Sequence, residues 1–340
     1  MTVTSAVEPG TSRRTMHAMV QEKYGRAEDV LSSHEVPVPE VDADEVLVKV
    51  AFSSVNAIEW HLVNGKPYIF RTSFGFRPRP TPGADVAGVV EAVGSEVSHF
   101  EVGDEVFGEI WTGAYAEYAR AKEEQLALKP NGVSFQDAAT VGMAGLTALQ
   151  GLRDVASVKP GQRVLINGAS GGVGTNAIQI AKVLGAEVTA VCSTRNVELA
   201  RSLGADHIVD YTKEDFTATD DRFDVMFDLP GNRPLHDCKR LLAPGGTYVM
   251  VGGPKGDWTG PLFRLLTAKL LFLFGDKSDT NFTAASRRTD LEHLGRLLET
   301  GEIRPVIERS IPLRDVGTAV DEQGQFHARG KTVVIVEEGF

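Results

Sequence analysis

Residues 163–185, RVLINGASGGVGTNAIQIAKVLG, leave few choices of fold. Val164, Leu165 and Ile166 read as a buried strand and the glycines after them as a tight turn. Val173, Ala177, Ile180, Ala181 and Leu184 then recur at helical spacing until Gly185 ends the helix. Strand, glycine turn and helix in this order form a dinucleotide-binding signature. Ala169 takes the first glycine position, Gly171 the second and Gly174 the third. At Gly171 no Cβ stands between the backbone and a pyrophosphate, and at Gly174 the helix can pack closely on the strand. The free N–H groups and the dipole of the helix N-terminus then hold the phosphates. An ordinary strand-to-helix turn can carry the same glycines, but the strand before and the helix after favour the nucleotide.

One such unit does not use 340 residues, so two domains are expected. An apolar fraction of 42% can fill two cores. The net charge of −11 argues against non-specific binding to nucleic acid or an anionic membrane. Two cysteines, Cys192 and Cys238, exclude a disulfide framework and a multi-cysteine zinc lobe, and suit a reducing compartment. The apolar run around Leu270–Phe274 is too short to span a bilayer. The first 15 residues lack the apolar core of a secretory signal and read as a disordered tail, so a cytoplasmic location is expected.

From His17 to about residue 130 the chain reads as short strands and glycine turns with no long helix, which suggests a small irregular barrel. EVLVKVAFSSVN alternates as a half-buried strand should. The character changes at Pro130–Asn131. SFQDAATVGMAGLTALQGL reads as helical with Ser134 as N-cap. The strands RVLIN, EVTAV, HIVDY, FDVMFD and TYVMVGG then alternate with helices near 174–184, 196–203 and 233–242, as in a parallel sheet covered on both faces. A helix over DLEHLGRLLET follows. EIRPVIERSIPL and KTVVIV are strand-like and return to the first domain.

The order and spacing of SVNAIEWHLVNG (54–65), GADVAGVVEAVG (83–94), VGDEVFG (102–108), AATVGMAGLTAL (138–149), NGASGGVG (167–174), LGADHIVDY (203–211), LAPGGTYVMVG (242–252) and ARGKTVV (328–334) resemble the medium-chain dehydrogenase/reductases. Within them the chain is similar to the zinc-free branch of quinone and enoyl reductases. The resemblance implies an α/β protein: a Rossmann-type doubly wound parallel sheet over 131–280, and a mostly β, co-chaperonin-like (GroES-like) barrel from 16–130 and 281–340. It places the active site in the cleft between them, and implies a homodimer that pairs edge strands, with TYVMVGG or LLFLFG near the edge.

Zinc-dependent relatives place a thiolate where this chain has Asn56 and an imidazole where it has Ala84. Neither side chain here supplies such a donor, and Glu59 with His61 are too few to close a site. Without a Lewis acid, oxidising a simple alcohol is hard, whereas hydride delivery to an electrophilic carbon is not. No acid follows EVTAV, where an NAD enzyme binds the ribose 2′-OH. Ser193, Thr194 and Arg195 stand there instead and can meet a 2′-phosphate, with Tyr211 resembling a family tyrosine nearby, so NADPH is the expected cofactor. The remaining cofactor residues read on this basis are Asn56 at the nicotinamide ribose, Thr147, Ser170, Gly171, Gly172, Val173 and Gly174, and Gly252 and Gly253 beside the nicotinamide.

Reduction of a conjugated carbonyl leaves an enolate that needs a proton donor. Enoyl reductases of this type carry a tyrosine soon after the Asn-Gly pair. Here Tyr68 comes one place late, which leaves packing against Trp60 as the other reading, and His61 is the second candidate donor. Trp60, Phe74, Phe76, Phe272 and Phe274 are candidate walls of an apolar pocket, or core. The expected function is therefore NADPH-dependent reduction of a quinone or an activated C=C bond, without zinc, on a small conjugated substrate. A zinc-free NADP-dependent ketone/alcohol oxidoreductase and a non-catalytic NADPH-binding protein remain the alternatives.

Overall fold

The computed structural model describes residues 14–68, 71, 77–253, 260–273, 275–325 and 328–337; Phe74, Phe76 and Phe274 lie outside the described residues, as does most of the N-terminal tail. β1 (Thr15–Val20) and β2 (Ser32–Pro37) form an antiparallel ribbon, and α1 (Ala27–Val30) is a single turn between them. β3 (Glu45–Ser54), β4 (Asp85–Val93), β5 (Glu105–Glu109), β6 (Tyr118–Lys122) and β7 (Leu126–Leu128) make the first large sheet. Val46, Val48 and Val50 of β3 point the same way and meet Val86, Val90, Val106 and Leu126 in one core. Between β3 and β4 comes α2 (Ala57–Asn64). Asn56 and Glu59 form its capping box, and Gly65, at φ 62°, turns the chain out of it.

The segment 134–152 is not one helix. α3 (Phe135–Ala138), with Ser134 as N-cap, stops after one turn, and α4 (Gly142–Gln150) starts afresh. The break is imposed from a distance: the Asp85 carboxylate accepts the Met143 N–H at 2.7 Å and so caps α4. A Cβ on Gly142 would fall 2.5 Å from that same carboxylate.

β8 (Arg163–Asn167), α5 (Gly172–Val183), β9 (Glu187–Cys192), α6 (Val197–Ser202), β10 (His207–Asp210), β11 (Phe223–Asp228), α7 (Leu235–Leu241), β12 (Leu242–Met250), α8 (Gly260–Phe272) and β13 (Ser278–Asn281) build the second sheet. Its order, β10-β9-β8-β11-β12-β13, is parallel throughout. Both faces are covered. Val164 and Ile166 of β8 pack with Ala177, Ile178 and Ala181 of α5, while Leu165 packs with Met226 and Tyr248 on the opposite face. The direction of winding reverses between β8 and β11, which makes the crevice beyond their carboxyl ends the place for a ligand. α9 (Arg288–Glu299) leads back to β14 (Ile307–Pro312), α10 (Val316–Gln323) and β15 (Lys331–Ile335), which pairs with β3 and extends the first sheet.

The outermost strand on the side of TYVMVGG and LLFLFG is β13. TYVMVGG falls within and just beyond β12, whose outer side is covered by β13. The first half of LLFLFG is the end of α8, which packs beside β13. β13 reads Ser-Asp-Thr-Asn, which has no apolar alternation to betray a strand.

Candidate active site

The glycine turn is built as the sequence requires. A Cβ on Gly174 would come within 2.3 Å of the Gly168 carbonyl, so only glycine lets α5 approach β8 this closely. A Cβ on Gly171 would meet nothing nearer than 3.8 Å, and the backbone there faces open space at the helix N-terminus. Val173 turns inward and packs against the core. The turn is also joined to the other domain: Ser170 accepts the Gly330 N–H at 2.7 Å, and Gly171 forms a parallel bridge with Gly330.

One residue beyond Gly330, the stem of Lys331 lies against Gly172, where a Cβ would fall 2.7 Å from its Cδ. Its ammonium reaches the Oδ1 of Asn56 and, at 3.1 Å, the carboxylate of Asp85. Asn56 spends both amide protons on Asp85, at 2.9 Å, and on Glu59, at 3.3 Å. Glu59 also accepts the backbone N–H groups of Asn56 and Ala84, and Asp85 accepts the Ser54 hydroxyl. Every member is buried. Burial pushes the Glu59 carboxyl up to about 7, with the Lys331 charge opposing and the Asp85 charge adding. The network takes both amide protons of Asn56, so it has none left to donate.

A second buried carboxylate adjoins the first. Glu109, at the end of β5, stands opposite Asp85 in the β4–β5 register. It accepts the Trp111 N–H at 2.7 Å and the hydroxyl of Ser286, which arrives from the segment after β13. Trp111 sits at φ 66°, a left-handed conformation that costs a bulky residue about 1–3 kcal/mol. Burial, and the nearby Asp85 charge, raise Glu109 from its ordinary 4.5 to about 7. The folded state therefore holds a proton that the unfolded chain releases between those values. Relative to Glu109→Gln, wild-type stability should fall by up to about 3 kcal/mol as pH rises from 4.5 to 7, and level off above. Chemical denaturation at a series of pH values checks this; a pH-independent difference would contradict it.

Gly252 and Gly253 lie at the carboxyl end of the second sheet, with Gly252 packed so closely on Leu229 that a Cβ would be 2.1 Å from its carbonyl oxygen. Ser193 and Tyr211 meet at the neighbouring ends of β9 and β10, where the Tyr211 N–H bonds the Cys192 carbonyl, and Arg195 follows on the surface. The Ser193 hydroxyl accepts from the Asn196 amide at 3.2 Å. Thr194 is corrected as a donor: its hydroxyl proton goes to Asp210 at 2.6 Å, so it has none for a phosphate. Thr147 donates its hydroxyl to Met143 O one turn back.

His61 is largely buried and donates Nδ1–H to the Lys66 carbonyl at 2.7 Å. Burial lowers its pKa, which keeps the imidazole neutral at pH 7. Tyr68 is half-buried, with the Arg71 guanidinium 4.8 Å and the Lys66 ammonium 5.9 Å from its ring centre. Phe272 is corrected as a pocket wall. It is buried in the second domain's core and stacks on Tyr248 at 5.8 Å, because Tyr248 faces α8 across the sheet. Trp60 packs with Ala319 and Val320 of α10 in an apolar cluster, and its ring stands nearly perpendicular to that of His61 at 5.0 Å. Sequence reasoning passed over Lys331, Glu109, Trp111 and Ser286. The one signal for Lys331 was a charged residue opening an otherwise apolar strand.

Two family descriptions match the chain: the alcohol dehydrogenase GroES-like domain over residues 42–131, and zinc-binding dehydrogenase over residues 203–334. The 2-methylene-furan-3-one reductase of Solanum lycopersicum is 36% identical over 309 residues, 87% of this chain and 72% of the relative. The chloroplastic NADPH-dependent alkenal/one oxidoreductase of Arabidopsis thaliana is 34% identical over 335 residues, covering 94% and 80%. The chain belongs to the medium-chain dehydrogenase/reductase superfamily, in its quinone oxidoreductase and alkenal/one reductase branch. The solved quinone oxidoreductase of Coxiella burnetii superposes with a TM-score of 0.85 at 30% identity, covering 95% of this chain and all of that one. Relatives in this branch are NAD(P)H-dependent oxidoreductases.

The zinc implied by the second family description does not fit the residues present. Among the described residues no group of three or more His, Cys, Asp and Glu side chains is placed to hold a metal ion. Asn56 already bonds an ammonium, and a divalent cation beside it would have to displace Lys331 from Asp85.

Proposed function

We propose that this oxidoreductase uses NADPH to reduce quinones or activated C=C bonds, and does so without zinc. The observation that carries the reading is the Asn56–Asp85–Lys331 triad, which puts a fixed organic cation where zinc-dependent relatives need metal ligands. The names of its relatives point to the same class of acceptor. NADPH, when bound, supplies the hydride. Gly171 and the N-terminus of α5 are suited to the pyrophosphate, Asn56 to the nicotinamide ribose, and Gly252 and Gly253 to the nicotinamide face. Tyr68 is the better proton donor, since His61 is neutral at pH 7 and already gives up its Nδ1–H. NADPH oxidation with enone and quinone acceptors is the direct test.

Preference for NADPH rests on Ser193 and Arg195. Arg195→Ala should weaken NADPH binding by about 10- to 100-fold, the loss of one charge-assisted contact of about 1.5–3 kcal/mol, and weaken NADH far less. Titration of both cofactors measures this; equal losses would remove Arg195 from the phosphate site.

We also propose a homodimer. Among the described residues the outer side of β13 has no strand partner, and α8 beside it exposes Phe263, Leu266 and Leu270, with Leu273 just beyond. Among the described residues no helix is long and apolar enough to cross a membrane. A cytoplasmic location is proposed from the two unpaired, buried cysteines, although the alkenal/one relative is by name chloroplastic.

A further inference from the structure

Among the described residues Trp60 packs into an apolar cluster, whereas Trp111 belongs to none and is only half-buried. Its backbone sits at φ 66°, where a bulky side chain is out of place and glycine would be at ease. Such a conformation persists only where its surroundings over-determine it. Here they do. Glu109 holds the Trp111 N–H, Ser286 holds Glu109, and Thr112 is tied to the Ile110 carbonyl at 2.8 Å and to the Thr81 carbonyl at 2.6 Å. Two further contacts tie the turn to the cleft. The Ile110 N–H bonds the carbonyl of Ala84, the residue standing where zinc-dependent relatives carry an imidazole. Glu109 lies opposite Asp85 of the Asn56 network, and Ser286 comes from the segment returning from the second sheet. The turn thus holds strain at a half-buried indole that joins no apolar cluster of the described residues and stands two residues beyond Glu109, close to the Asn56 network. Of the expected aromatic walls, Phe272 is in the core and Trp60 packs on α10.

We propose that Trp111 is a specificity-determining residue: its indole is an aromatic wall of the acceptor site and favours extended, flat π-systems over small enones. The proposal rests on the reductase reading above. Stacking on an indole gains with the area of the partner ring, so a polycyclic quinone profits where a four-carbon enone cannot.

The test compares wild type, Trp111→Gly and Trp111→Phe with 9,10-phenanthrenequinone and but-3-en-2-one. Glycine adopts the left-handed turn freely, and thermal unfolding of each variant establishes that it is folded before its kinetics are read. The ratio of kcat/KM for the quinone to that for the enone should fall about tenfold, and Trp111→Phe should keep most of it. The dissociation constant of phenanthrenequinone from the NADP⁺-loaded protein, measured by calorimetry, should rise about tenfold in Trp111→Gly. An unchanged acceptor ratio together with an unchanged quinone affinity overturns the proposal. A wild type that consumes no NADPH with either acceptor defeats the reductase reading instead, and the calorimetric comparison still decides whether Trp111 forms the wall.

Discussion

Replacing Lys331 by methionine should destabilise the fold by about 3–5 kcal/mol, the usual cost of removing one partner from a buried ion pair. Lys331 is 3% exposed and Asp85 is fully buried, so the pair is withdrawn from bulk water. Asp85 caps α4 through the Met143 N–H and orients Asn56, so the loss reaches both the domain junction and the nucleotide cleft. Methionine keeps the stem that packs on Gly172 and removes only the charge, which separates electrostatics from packing. Adding Asp85→Asn should recover part of the loss, because the uncompensated charge goes with it. Urea denaturation of the single and double variants gives both numbers. A single-variant loss under about 1 kcal/mol, the scale of a surface pair, would mean that Lys331 is not truly desolvated.

Tyr68→Phe should lower enone turnover by about 10²- to 10⁴-fold, the usual share of a positioned acid. The change keeps the ring and its contacts with Arg71 and Lys66 and deletes only the hydroxyl. Those two cations also favour the negative oxygen that hydride addition creates. Quinones should lose less, because a hydroquinone anion is a weaker base than an enolate and needs protonation less. Steady-state kinetics with one enone and one quinone reads both effects. Normal enone turnover in Tyr68→Phe would reduce the tyrosine to a packing residue.

Much of the fold was legible because its determinants are local. The glycine turn at 168–174, the solid apolar strands β8, β9 and β11, and the alternation of Val46, Val48 and Val50 each carry their own period or turn chemistry. What was not legible depends on partners far away in sequence. The break between α3 and α4 exists because Asp85, more than fifty residues upstream, caps Met143. β13 is a strand by pairing with β12, not by pattern. Phe272 is apolar in either setting, so only the packing on Tyr248 tells core from pocket. In the site, Asn56 and the glycines could be read from motif position, yet what Asn56 can do was set by Lys331, 275 residues away. Thr194 looked like a donor until Asp210, on the adjacent strand, claimed its proton. Hydrogen-bond allegiance of this kind is a tertiary property that no local pattern encodes.

The direction and partner of hydride transfer test the central claim most directly. Purified protein, assayed for zinc content alongside, is given NADPH with an enone or a quinone, and separately NADP⁺ with a panel of simple primary and secondary alcohols. NADPH consumption with the conjugated acceptors, undiminished by chelators and without stoichiometric zinc, is the predicted result. Oxidation of simple alcohols with no reduction of enone or quinone, or about one tightly bound zinc per chain on which activity depends, would contradict it.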